Sequence, residues 1–270
     1  MLRKALVLCV LGTCVLSLAA EVAPDETAPP YAGLLAAPAT EGDAPALQQL
    51  LPEATPKQRA EALLLAAAGE TEGHVACVRA LVGGGTDVLE RDRTTRGTAL
   101  HAAARASLAS VELLLAARGG TGALTITDNH GWSPLYHAVR AGDKRAASVA
   151  ALLAAGADVG VNDIAGFTPL HLAARHDGSA ALRVLLRSNS FRYQAAKLLA
   201  QPNMYGETAL ALATRLQHRA AMKVLAEAAA QQIEEASAAA AQQGNDAAQQ
   251  QQQQQGNDAA QQGKLGKEEL

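Results

Sequence analysis

Four arginines recur at matched places in the chain. Arg105, Arg140, Arg175 and Arg215 each stand five residues after a leucine (Leu100, Leu135, Leu170 and Leu210), so they fall 35, 35 and 40 residues apart. A guanidinium keeps its proton and offers a planar fork of donors that fits a carboxylate or a phosphate through two bonds at once. Arginine repeating at one structural position makes a row that could hold an acidic or phosphorylated protein segment. The same row also serves solubility: residues 61–230 hold 14 Arg against 3 Lys, so part of the coincidence is composition. Three aromatic residues keep a similar rhythm, Trp132, Phe167 and Tyr205, each next to a glycine. If exposed, such rings suit hot-spot contacts with a partner; packing on the neighbouring segment is the alternative use. Catalysis has no comparable pattern. The chain has no phosphate-cradling glycine loop, no helical metal motif and no nucleophile motif, so no catalytic residue, metal ligand or cofactor is expected.

The elements that must position these side chains are written in a recurring stretch. Its fullest copy is Gly166-Phe167-Thr168-Pro169-Leu170-His171-Leu172-Ala173-Ala174. Weaker copies are Gly97-Thr98-Ala99-Leu100-His101-Ala102-Ala103, Gly131-Trp132-Ser133-Pro134-Leu135 and Gly206-Glu207-Thr208-Ala209-Leu210. Thr168 can cap a helix by accepting a free backbone N–H of its first turn. Pro169 then takes the first helical position, where its missing N–H is no loss. Leu170, Ala173 and Ala174 are expected to face a partner helix, the alanines allowing close approach.

A period in this range marks stacked repeats, and the motif resembles the opening of an ankyrin repeat. The resemblance covers roughly the middle two-thirds of the chain by the repeat-period criterion. It implies an all-α solenoid of stacked ankyrin repeats, each two antiparallel helices with a short projecting hairpin, about five repeats with degenerate terminal caps. It also implies that His101 and His171 hydrogen-bond between loops and that the joints carrying Tyr136 and Ala211 instead are less rigid. Partners of the family usually touch the hairpin tips and the first-helix face, which here carry Arg105, Arg140, Arg175, Arg215, Trp132, Phe167 and Tyr205.

The expected organisation is a secretory signal over 1–20, a flexible lead-in over 21–56, the repeat domain over 57–230 and an Ala/Gln-rich disordered tail over 231–270. Arg3 and Lys4 precede an apolar run from Ala5 to Leu18, with small residues to Ala20, which reads as a cleaved signal more readily than as an anchor. The lead-in has seven prolines and no sustained period. A first, degenerate repeat begins near Lys57 with Ala62–Ala68 as its first helix, lacking Thr-Pro and His. Residues Ser188–Ala200 interrupt the fourth repeat and are expected to project from the stack, with or without a function of their own. The tail repeats Gln-Gln-Gly-Asn-Asp-Ala-Ala-Gln-Gln and ends Lys267-Glu268-Glu269-Leu270, similar to the Lys-Asp-Glu-Leu retention signal of the endoplasmic reticulum.

Charge and cysteine usage agree with a lumenal protein that binds protein. The net charge of −3 argues against bulk attraction to nucleic acid or an anionic membrane. Cys9 and Cys14 would leave with the signal, so Cys77 would remain alone and needs shielding; its place in a second helix predicts a buried structural thiol. The expected function is a non-catalytic adaptor or scaffold in the endoplasmic reticulum lumen, with a retention receptor as a second partner and no membrane insertion once the signal is gone. The alternatives are a chaperone-like accessory factor, a secreted protein, or a cytosolic one if the N-terminal reading fails.

Overall fold

Each repeat opens where a threonine or serine in extended backbone meets a run of helix formers. The computed structural model describes residues 33–192, 194–238 and 240–242. Thr168 accepts from the His171 N–H, Ser133 from the Tyr136 N–H and Thr208 from the Ala211 N–H, each satisfying an orphan donor of the first turn. The first helices they cap are α5 (Ala99–Ala106), α7 (Pro134–Arg140), α9 (Pro169–Arg175) and α13 (Ala209–Leu216). The second helices are α6 (Leu108–Ala116), α8 (Ala146–Ala154), α10 (Ser179–Arg187) and a last helix, α14, over 219–238. Neighbouring first helices pack in a row, α5 on α7, α7 on α9 and α9 on α13, and the second helices form a parallel row, α6 on α8 and α8 on α10.

The stack starts earlier than Lys57. Thr55 and Pro56 open α3 (Pro56–Ala67), and Gln58 replaces the motif histidine: its side-chain oxygen accepts the Thr55 N–H at 2.9 Å, closing a capping box. A Thr-Pro opening was therefore present and hidden by Lys57 in the leucine position. Its second helix is α4 (Glu72–Gly83). Ahead of it, α1 (Ala36–Glu41) and α2 (Ala44–Leu50) form a further short pair, α1 packing on α3 and α2 on α4. The expected flexible lead-in is thus corrected over these residues: Leu35, Ala39 and Leu47 are buried in the common core. Proline did not prevent this, because Pro45 lies in the first turn of α2, where no N–H is needed.

A row of small residues lets the second helices close on their first helices. Cys77, Ser110, Ser148, Ala181 and Ala221 occupy matching places and are all buried. Cys77 is the buried free thiol expected, its Sγ 3.8 Å from the Pro38 carbonyl, and burial pushes its pKa up. Larger apolar residues fill the layers between, including Leu100, Leu135, Leu170, Leu152 and Leu185.

Two further expectations change. The insertion does not project as a loop: α11 (Asn189–Arg192) and α12 (Ala195–Ala200) fold back and bury Phe191, Ala195 and Leu198 in the core. The helix α14 runs past residue 230, so the first part of the expected tail continues a helix, exposed after Ala228 and showing Ile233 to solvent. Residues 1–20, the rest of the tail and Lys267–Leu270 lie outside the described residues.

Candidate binding groove

The hairpin tips are built by one acidic or amide side chain each. Asp128 Oδ1 accepts the N–H groups of His130 and Trp132 at 2.8 and 2.9 Å; Asp163 Oδ1 accepts those of Ala165 and Phe167 at 3.0 and 2.8 Å; Asn203 Oδ1 accepts those of Tyr205 and Glu207 at 2.9 and 3.0 Å. Gly131, Gly166 and Gly206 supply the left-handed backbone that closes each tip. Asp92 does the same work at the first tip with Thr95, and an isolated bridge pairs Arg91 with Thr98. These carboxylates are thereby committed to their own hairpins.

Histidine joins one repeat to the next. His101 Nδ1 accepts the Thr98 N–H at 3.0 Å, which leaves the proton on Nε2 to donate to the Trp132 carbonyl at 3.2 Å. His171 repeats the arrangement from Thr168 to the Glu207 carbonyl at 3.0 Å. Both therefore make the inter-loop bonds expected of them. The joint carrying Tyr136, expected to be less rigid, has a bond of its own: the longer phenol reaches the next tip and donates to Asp163 Oδ2 at 2.8 Å. Burial and that carboxylate together push the Tyr136 pKa well up.

Between the row of tips and the row of first helices lies a groove in two adjoining parts. Its first part, about 410 Å³, lies between α3, α5 and the first and second tips, lined by Leu64, Leu65, Ala68, Ala102 and Trp132. Its second part, about 580 Å³, extends from Trp132 past Phe167 and Leu172 to Tyr205 and Arg215. Trp132 and Arg140 line both. The expected arginine row does fall here: Arg105 and Arg140 border the first part and Arg140, Arg175 and Arg215 the second, all four exposed.

The four are not equivalent. The Arg140 guanidinium lies over the Trp132 ring at 4.7 Å and that of Arg175 over Phe167 at 5.9 Å, a stacking that orients the fork without neutralising it. Arg215 is already paired with Glu207, Nε to Oε1 at 2.5 Å and a second bond to Oε2 at 3.1 Å. That hydrogen bond holds the Glu207 carboxyl below its usual range. Arg145 braces the row from behind, donating to the Arg105 carbonyl at 2.7 Å and pairing with Glu70 at 2.6 Å.

The aromatic residues divide as well. Tyr205 is 71% exposed. Trp132 is half-buried, stacked on Tyr136 at 5.2 Å and beside His130 at 4.8 Å. Phe167 is only 8% exposed, packed edge-on to His171, so for this ring the packing alternative holds, and it supports Arg175. Two tip residues outside the aromatic set are also open, Ile164 at 80% and Met204 at 65%.

Sequence reading missed His137. It sits in the row Ala102, His137, Leu172, Leu212, where it is the one polar member. Its Nε2–H donates to Asp128 Oδ2 at 2.9 Å, its ring lies edge-on to His101 at 5.5 Å and to Trp132 at 5.4 Å, and its Nδ1 has no hydrogen-bond partner. Burial keeps His137 below the usual histidine range despite the Asp128 carboxylate, and lowers His101 to about 4. Burial raises the Asp128 carboxyl, but bonds from His137 and the tip amides outweigh it, so its pKa falls. The groove floor is thus neutral imidazole over a paired carboxylate. Among the described residues no group of three or more His, Cys, Asp or Glu side chains is placed to hold a metal ion.

A row of helix pairs joined by Thr–His caps, with a hairpin tip between successive pairs, defines a stacked-repeat protein. A family model described as ankyrin repeats, in three copies, matches residues 63–163, 107–195 and 145–237, which together run over well more than half of the chain. The chain belongs to the ankyrin-repeat family. Repeats of this family are a protein–protein interaction module and are typically non-catalytic. A comparison with curated proteins gives no match. No described helix is long and apolar enough to cross a membrane.

Proposed function

We propose that this protein is a non-catalytic adaptor or scaffold of the endoplasmic reticulum lumen that holds another protein in the groove between its hairpin tips and first helices. The observation that carries the reading is the row Arg105, Arg140 and Arg175 along the two adjoining parts of this groove, two of its members stacked on rings and none paired with a carboxylate in the ion pairs of the described residues. Guanidinium groups held this way suit an acidic or phosphorylated segment. Compartment rests on sequence: the basic start and apolar run before Ala20, and the Lys267-Glu268-Glu269-Leu270 ending, each useful only with the other.

The test is crosslinking and capture from intact cells, comparing the wild type with a variant in which Arg105, Arg140, Arg175 and Arg215 are all changed to Ser. Capture of one lumenal protein by the wild type and its loss from the variant is the expected result; predominantly cytosolic capture overturns the compartment, and unchanged capture overturns the groove. Deleting Lys267–Leu270 is expected to raise secretion, and unchanged secretion removes the retention reading. Ile164, Met204 and Tyr205, exposed side by side on neighbouring tips, favour a second reading, a chaperone-like factor holding apolar stretches of many clients. Transient binding to many unfolded proteins, rather than stoichiometric capture of one native partner, distinguishes it.

A further inference from the structure

The two parts of the groove differ in what they can hold, and the difference specifies a partner more narrowly than an acidic segment. The first part is lined by the apolar residues Leu64, Leu65, Ala68 and Ala102 together with Trp132. Its floor carries no net positive charge, since burial holds His101 and His137 neutral and Asp128 is spent on His137 and two tip amides. A pocket of about 410 Å³ with that lining has room for one large apolar side chain. The second part is bordered by Arg140 and Arg175, and its Asp163 is engaged by the Tyr136 hydroxyl and two amides. It suits anions.

The rungs are also spaced. Arg105, Arg140 and Arg175 stand in the last turns of three consecutive first helices, α5, α7 and α9, which pack directly on one another. Packed helices lie about 8–10 Å apart, and a chain in polyproline-II conformation advances about 3.1 Å per residue and returns every third side chain to the same side. One rung therefore corresponds to about three residues of such a ligand. The fourth rung is closed, because Glu207 already occupies Arg215 as a ligand carboxylate would.

We propose that the groove binds a segment of a partner protein in polyproline-II conformation, in which one large apolar residue enters the pocket lined by Leu64, Leu65, Ala102 and Trp132 and acidic or phosphorylated residues stand at three-residue intervals on Arg105, Arg140 and Arg175, with Glu207 ending the row at Arg215. This rests on the groove reading above and deepens it. Anion spacing gives specificity here: a bidentate charge-assisted bond forms only where a carboxylate meets its rung.

The experiment titrates the full chain with synthetic peptides and follows the fluorescence of Trp132, the one tryptophan in the sequence. The reference peptide carries a leucine anchor and glutamates at every third position. Comparison peptides have alanine at the anchor, the same residues with glutamates at every second position, or phosphoserine in place of glutamate. The reference is expected to bind about tenfold tighter than the respaced peptide and to change Trp132 emission, while the alanine-anchor peptide binds without that change. Stronger binding of the phosphoserine peptide assigns the anion to phosphate, equal or weaker binding to carboxylate. Ala102→Phe, which fills the pocket, should abolish the preference for the leucine anchor, and Glu207→Gln should let a further glutamate at the far end strengthen binding. If the two spacings bind alike and the anchor is immaterial, the spacing proposal is overturned while the anionic groove stands. If none of the anionic peptides binds, both fall.

Discussion

Burial, more than any partner, sets the charge of the histidines that tie the repeats together. His101, His137 and His171 are all held below the ordinary histidine pKa, His101 at about 4, although His137 touches a carboxylate. The unfolded chain titrates these groups near 6.5. Above that pH both states are neutral and stability is insensitive to pH. Below it the unfolded chain takes up protons that the folded one refuses, so stability is lost as pH falls from about 6.5 toward 4. For His101 alone the loss is on the order of 3 kcal/mol. Urea unfolding at pH 7.5, 6 and 5 should show a midpoint that falls through this range. His101→Gln, which places at α5 the residue that Gln58 provides at α3, should flatten the curve by one group's worth; a wild-type midpoint unchanged between pH 7.5 and 5 contradicts the burial argument. Much of this was legible in the motif itself, because Thr-x-x-His has a backbone-capping geometry that fixes where the histidine sits. His137 was not, since a polar residue in a row otherwise apolar or small (Ala102, Leu172, Leu212) acquires its meaning only from Asp128, nine residues away and folded beneath it.

At the scale of elements, what misleads is a change at one position of a cap. Thr55–Pro56 makes the same helix start as Thr168–Pro169, yet Lys57 and Gln58 hide it in the sequence. The short pair α1 and α2 is hidden for a related reason. Six- and seven-residue helices are too short to show a helical period, and they hold because they pack on α3 and α4 rather than through their own propensity. The insertion after α10 likewise has no motif, and is held by Phe191 and Leu198 in the core. Cys77 reports directly on the first of these. Its thiol is buried against Pro38 of α1, so removing residues 33–53 should expose it. Peptide-level measurement of Cys77 alkylation in the native protein should show near-complete protection in the full chain and labelling faster by about an order of magnitude or more after that truncation. Equal protection in both would mean that α1 and α2 are not part of the stack.

For the whole molecule, stacking converts a residue repeated along the chain into a row in space. That is why the arginine row was legible from spacing alone: each rung stands at the end of a first helix, and the helices are parallel neighbours. The closing of the last rung was not, because Glu207 stands where the other copies carry Trp132 and Phe167 and its pairing shows only once the fold brings it to Arg215, eight residues on; nor was the apolar pocket, which joins residues from different repeats. A partner is expected along this groove and not on the outer layer of second helices. Photo-crosslinking in intact cells separates the two, with a photoreactive residue placed either at Ala102, in the groove, or at Glu112, exposed on α6. A single strong adduct is expected from position 102, lost when Arg140 and Arg175 are changed to Ser, and little from position 112. An adduct from position 112 with none from 102 would contradict it.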